Sequence, residues 1–217
     1  MNIIRKSRLL PATPTFVGTS LDIRVGEGLV FKICSGKIAE DCDRITVDWG
    51  DGSVPEEFAA SLNGAAHAYP SPGEYRLGIS DDVKSLAVGT VGESSEYTAV
   101  YAPMVTGFFS NASRLDSAPA FGFHNCVNLR RFDVSRANLK TIAGAAFKNC
   151  SALDGEILLP DVESVVGSSA LIPFGGCPRI AALHFAAKNE AAIVAGTSFK
   201  SDPTLGTGVE GVCRFDL

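Results

Sequence analysis

Apolar and polar residues alternate with period two in four short stretches of the first half. These are Leu21-Asp-Ile23-Arg-Val25, Leu29-Val-Phe31-Lys-Ile33, Ile45-Thr-Val47-Asp-Trp49 and Tyr75-Arg-Leu77-Gly-Ile79. Successive side chains of a strand point to opposite faces, so this pattern predicts half-buried β-strands. Gly26-Glu-Gly28, Gly50-Asp-Gly52 and Pro70-Ser-Pro72-Gly73 lie between them and predict turns. Short strands at this spacing predict a small β-sandwich.

The second half carries a different period. Phe123-His-Asn-Cys126-Val-Asn-Leu129 is followed by Phe147-Lys-Asn-Cys150-Ser-Ala-Leu153, Phe174-Gly-Gly-Cys177-Pro-Arg-Ile180 and Phe199-Lys-Ser-Asp202-Pro-Thr-Leu205. The phenylalanines are 24, 27 and 25 residues apart. A recurrence of this length predicts a solenoid, in which each repeat buries its apolar face only by stacking on its neighbours. The four phenylalanines are expected to be buried in successive turns. Cys126, Cys150 and Cys177 share one repeat position, which assigns them to core packing as small apolar side chains. No linker separates the halves: Ser80-Asp81-Asp82-Val83-Lys-Ser-Leu86-Ala-Val88 has no Pro/Gly-rich break. The first half is therefore expected to dock on the first repeat and cap it.

Composition narrows the function classes. The 217 residues are 46% apolar, ample for a core, and carry a net charge of −5. An acidic chain disfavours nucleic acid, and the one basic cluster, Arg5-Lys6-Arg8, reads as a solvated N-terminal tail. No apolar run approaches 18 residues, so no transmembrane segment is expected. The N-terminus lacks the apolar core of a secretory signal, so the expected location is the cytoplasm or a virion, or the cell surface if a leader has been removed. Six cysteines are too few for a disulfide-built scaffold of this length. Cys34 and Cys42 flank the polar stretch Ser35-Gly-Lys-Ile-Ala-Glu-Asp41, read as a loop, where a disulfide is possible.

The signs of catalysis are sparse. His67, His124 and His184 are the only histidines, and none has a nucleophile and carboxylate at a recognisable spacing. His124 falls where other repeats place Lys148, Gly175 and Lys200, so it is expected to be exposed. Asp48 and Asp51 flank a glycine and are expected to shape a turn, because a calcium loop needs more acids. No enzyme activity, metal or cofactor is expected.

Two family resemblances sharpen this reading. Val47-Asp48-Trp49-Gly50-Asp51-Gly52-Ser53, followed by His67-Ala-Tyr69 and Pro72-Gly73-Glu-Tyr75, resembles the polycystic-kidney-disease (PKD) domain over about residues 11–85. That resemblance implies an Ig-like β-sandwich used as a spacer or adhesion module, with His67 in a structural hydrogen bond. Ala146-Phe147-Lys-Asn-Cys150-Ser-Ala-Leu153, with Ile157-Leu-Leu159-Pro160, resembles the BspA-like bacterial leucine-rich repeats. Val100-Tyr-Ala-Pro103-Met-Val105 is similar to Leu158-Leu-Pro160-Asp-Val162, which moves the expected start of the solenoid to about residue 86. The expected fold is mainly β: a tail over 1–10, a PKD-like β-sandwich over 11–85 and a leucine-rich-repeat solenoid over 86–217.

The repeat strands supply the candidate site. With Phe132, Val134, Ile157, Leu159, Leu183, Phe185 and Phe215 facing inward, alternation turns Arg131, Asp133, Glu156, Leu158, His184, Arg214 and Asp216 outward. The expected function is non-enzymatic recognition of a protein or glycan through this stripe. A structural or attachment part of a phage particle is the alternative.

Overall fold

The computed structural model describes residues 17–90, 95–168, 170–195 and 213–217. The protein is mainly β, with a solenoid-like region of about three turns. The first half contains β1 (Gly18–Val25), β2 (Val30–Lys32), β3 (Ser35–Ile38), β4 (Ile45–Asp48), β5 (Glu56–Phe58), β6 (Ala66–Ala68), β7 (Gly73–Ser80) and β8 (Val83–Ala87). A π-helical turn (Tyr97–Tyr101) and a 3-10 turn (Ala102–Met104) lead into the second half. There β9 (Val105–Ser110), β10 (Ser117–Ala118), β11 (Arg131–Asp133), β12 (Thr141–Ile142), β13 (Asp154–Leu159), β14 (Ser164–Val165), β15 (Arg179–Phe185), the short helix α1 (Glu190–Ala195) and β16 (Cys213–Phe215) follow.

Each solenoid coil has three sides, and each side is a hydrogen-bonded ladder. On the first side β11 runs parallel to β9, and β13, β15 and β16 form a parallel three-stranded sheet. On the second, β10, β12 and β14 pair in parallel. The third side is the Phe-x-x-Cys turn. Phe123 N–H donates to Ala146 O at 2.7 Å, and Phe147 N–H donates to Pro173 O at 2.7 Å. At the corner between the first two sides, Lys84, Asp116, Lys140 and Glu163 stack with alternating charge. Each N–H from Asp116 onward donates to the carbonyl of the preceding member.

The repeat motif follows from this geometry. The Phe123, Phe147 and Phe174 rings stack face to face, 5.1 and 5.0 Å apart and within 5° of parallel. Cys150 and Cys177 donate their thiols to Phe123 O and Phe147 O, each at 3.1 Å. The residue before each cysteine, Asn125, Asn149 or Gly176, has φ between 61° and 76°. Asn and Gly are the residues that tolerate this left-handed region best. Asn149 also donates from Nδ2 to Asn125 Oδ1 at 2.8 Å. The fourth repeat, with Phe199, lies outside the described residues, as does the basic tail.

The first half covers all three ladders of the first coil. β1 pairs antiparallel with β9, which extends the first side into a six-stranded sheet of order β11-β9-β1-β7-β4-β5. β8 pairs parallel with β10, which makes a five-stranded sheet of order β14-β12-β10-β8-β3. Val88 and Gly89 N–H groups donate to Gly122 O on the third side. The chain position expected to divide the halves, between 85 and 86, therefore falls inside β8. One apolar core runs unbroken from Leu21 to Ile193.

Several expectations need correcting. Ser35–Ile38, read as loop, is strand β3 paired with β8. It runs extended between Cys34 and Cys42, and both are free thiols. Cys42 instead hydrogen-bonds Asp82, whose carboxylate pushes the thiol up to about 11. His124 is buried, not exposed. It lies under the segment from Val88 to Thr90, which caps this first coil and no later one. Val100–Met104 lies in the turns that precede β9 and Val105 begins that strand, whereas Leu158 and Leu159 end β13, so the two segments are not equivalent.

Candidate functional site

The outward face of the first side is assembled by strand register. Leu158 on β13 lies beside His184 on β15, which lies beside Arg214 on β16. Phe132, Ile157, Leu159, Leu183 and Phe185 are buried, and Phe215 packs half-buried against the core. Their neighbours Arg131, Asp133, Glu156, Leu158, Arg214 and Asp216 are exposed. His184 also faces outward but is only 15% exposed, because two carboxylates flank it. Its Nδ1 donates to Asp216 Oδ1 at 2.8 Å, and its Nε2 lies 3.6 Å from Glu156 Oε2. Register thus brings Glu156, Leu158, His184, Arg214 and Asp216 together. Leu158, 42% exposed, is the apolar member of the group.

Arg131 and Asp133 stand apart on β11, in the six-stranded sheet. Asp133 accepts hydrogen bonds from Ser135 N–H and Oγ–H at 3.1 and 2.7 Å, so its carboxylate is held in a turn. Arg131 belongs to a group that alternation alone does not reveal. Asp22 on β1 accepts a forked pair of bonds from Arg76 on β7, at 2.6 and 2.9 Å. That carboxylate holds Arg76 charged above its ordinary range. Arg76 and Arg131 both lie over the Phe109 ring of β9, at 5.3 and 5.1 Å. Gly107 leaves room for this arrangement, since a Cβ there would sit 3.0 Å from both Asp22 Oδ2 and Phe109 Cε2. In the sequence Asp22 and Arg76 are visible as polar members of alternating strands. What brings them to Phe109 is cross-strand register.

A second polar cluster supports the turn at Trp49-Gly-Asp-Gly52. His67 stacks on Trp49 at 5.0 Å and hydrogen-bonds Asp51 at 2.9 Å. Tyr69 donates to Trp49 O at 3.1 Å and packs on Tyr75. Asp48 and Asp51 accept the N–H groups of Gly50 and Ser53, which closes the turn. The bond from His67, and then those from Ser53, hold the Asp51 carboxyl far below the usual carboxylate range. A depressed folded-state value stabilises the fold fully above the unfolded pKa of about 3.9, and that contribution fades as pH falls below it. Unfolding midpoints measured at pH 5 and pH 3 should therefore fall further for the wild type than for Asp51→Asn. Equal losses would contradict the assignment.

Among the described residues, no Ser, Thr or Cys side chain hydrogen-bonds a histidine ring. No group of three His, Cys, Asp or Glu side chains among them is placed to hold a metal ion, and no helix there is long and apolar enough to cross a membrane. The chain matches no protein-family model, no curated protein and no solved structure.

Proposed function

We propose that the chain is a non-enzymatic, extracytoplasmic binding protein, with a PKD-like sandwich capping a short leucine-rich-repeat solenoid of the BspA-like kind. It recognises a protein or glycan through the outward face of the repeat strands. One observation carries the reading. Parallel register places Leu158, His184 and Arg214 side by side on an open sheet face, with Glu156 and Asp216 flanking the histidine. Binding surfaces draw affinity from a few central anchors surrounded by polar residues, and Leu158 with His184 fits the anchor role. The packing of Trp49, His67, Tyr69 and Tyr75 around one turn supports the PKD-like resemblance, and the stacked Phe and Cys columns support the repeat resemblance.

The test is a protein and glycan array probed with the purified chain. For a ligand so found, Leu158→Ala and His184→Ala should each weaken binding at least tenfold and leave the unfolding midpoint nearly unchanged. The reading fails if both variants bind normally while changes in the Asp48–Ser53 turn abolish binding, because recognition then belongs to the first half.

A further inference from the structure

Arg131 combines two properties that seldom coincide at a surface. Its side chain is 63% exposed, yet its guanidinium is held in place over the Phe109 ring at 5.1 Å. It donates no hydrogen bond to any described residue. The nearest carboxylate is Asp22, at 3.9 Å, and both oxygens of Asp22 already accept from Arg76. Asp133, two residues along the strand, is engaged by Ser135. Arg24 and Glu74, the next outward pair, neutralise each other at 2.7 Å. Asp22, Arg76 and Arg131 together carry one positive charge, and Asp133 beside them carries a negative one but forms no ion pair with Arg131.

An exposed arginine fork that lies over an aromatic ring, 3.9 Å from one carboxylate and donating no hydrogen bond to a described residue, matches a planar carboxylate, which accepts two parallel N–H bonds. Strand order places Arg76 on the β7 side of Phe109 and Arg131 on the β11 side. The ring is thus flanked by guanidinium groups, which leaves no free aromatic face for a sugar to stack on. We infer that Arg131, braced by Phe109 and by the Asp22–Arg76 pair, is a receptor for an acidic side chain of a peptide partner. This assignment rests on the proposed role of the strand face and names the ligand chemistry at its β11 end.

A fluorescently labelled hexaglutamate peptide, followed by anisotropy at low salt, tests it. The wild-type chain should bind hexaglutamate and not hexaglutamine. Arg131→Ala should weaken binding at least tenfold. Arg131→Lys should weaken it several-fold, since an ammonium keeps the charge and loses the fork, and Phe109→Leu should do the same by removing the platform. In NMR the Arg131 Nε–H resonance should shift on titration. Three results overturn the assignment: no hexaglutamate binding by the wild type, binding indifferent to Arg131→Ala, or binding lost only when Arg5, Lys6 and Arg8 are changed to Gln. Arg131-dependent binding of an oligogalacturonate in place of hexaglutamate also overturns it, because the ligand is then an acidic glycan. The array separates the two proposals. Loss of an array ligand with Leu158→Ala, beside peptide binding indifferent to Arg131→Ala, leaves the strand-face reading standing and this one refuted.

Discussion

Phe147→Ala should lower the unfolding free energy by about 3–5 kcal/mol, the usual range for truncating a buried phenylalanine. Phe147 is fully buried and is the middle ring of the described column, with Phe123 on one face and Phe174 on the other. Phe132 meets it edge-on at 4.6 Å from the neighbouring side of the coil. Removing the ring takes away three aromatic contacts and leaves a cavity that flanking rings, each held in its own backbone ladder, cannot fill. Stability in stacked repeats is the sum of each repeat and its interfaces, so a defect between two coils weakens both junctions. Denaturant titration checks this. A loss below about 1 kcal/mol would place Phe147 outside the tightly packed class and refute the column as a source of stability.

The elements legible in the sequence are those whose signal is local. β1, β2, β4 and β7 overlap the four alternating stretches, because the apolar residues of each face the core, although in β1 the alternate Asp22 is buried as well. The Phe and Cys columns were legible because every coil repeats the same local turn, down to the Asn or Gly that tolerates positive φ. β3 was not legible, since Ser35-Gly-Lys has no apolar alternation. Its Gly36 lies under Leu62, whose Cβ would be 2.9 Å from a side chain at that glycine, and its pairing partner β8 is more than 40 residues away. The burial of His124 has a similarly non-local cause. The backbone of Gly89 approaches so closely that a Cβ there would meet Phe121 O at 2.7 Å, and only the first coil has such a cover. At the candidate site, alternation identified the outward residues correctly. It could not show that Asp133 is spent on a turn, that two carboxylates bracket His184, or that Arg131 shares an aromatic ring with Arg76. Those depend on register between strands far apart in the chain.

Gly50→Ala should cost about 3 kcal/mol or more, the sum of a left-handed backbone strain and a forced overlap. Gly50 has φ +78°, and an added Cβ would lie 2.1 Å from Arg76 O and 2.8 Å from Arg76 C. Those atoms are the backbone of β7, a strand paired with β1 along its whole length, so they have little freedom to retreat. Pushing the turn away would pull Trp49 off His67 and move Asp51 from its bond, undoing the cluster that closes this end of the sheet. Gly52 supplies the internal control. It too has positive φ, +88°, but a Cβ there would meet nothing within 4 Å. Gly52→Ala should therefore cost only the left-handed penalty, about 1–2 kcal/mol. Trp49 is the single tryptophan of the chain, so its fluorescence reports the turn directly in both variants. Equal losses in the two variants would show that the close approach to β7 contributes nothing. A larger loss at Gly50, with an altered Trp49 signal, would show that this turn is held against β7 by backbone contact.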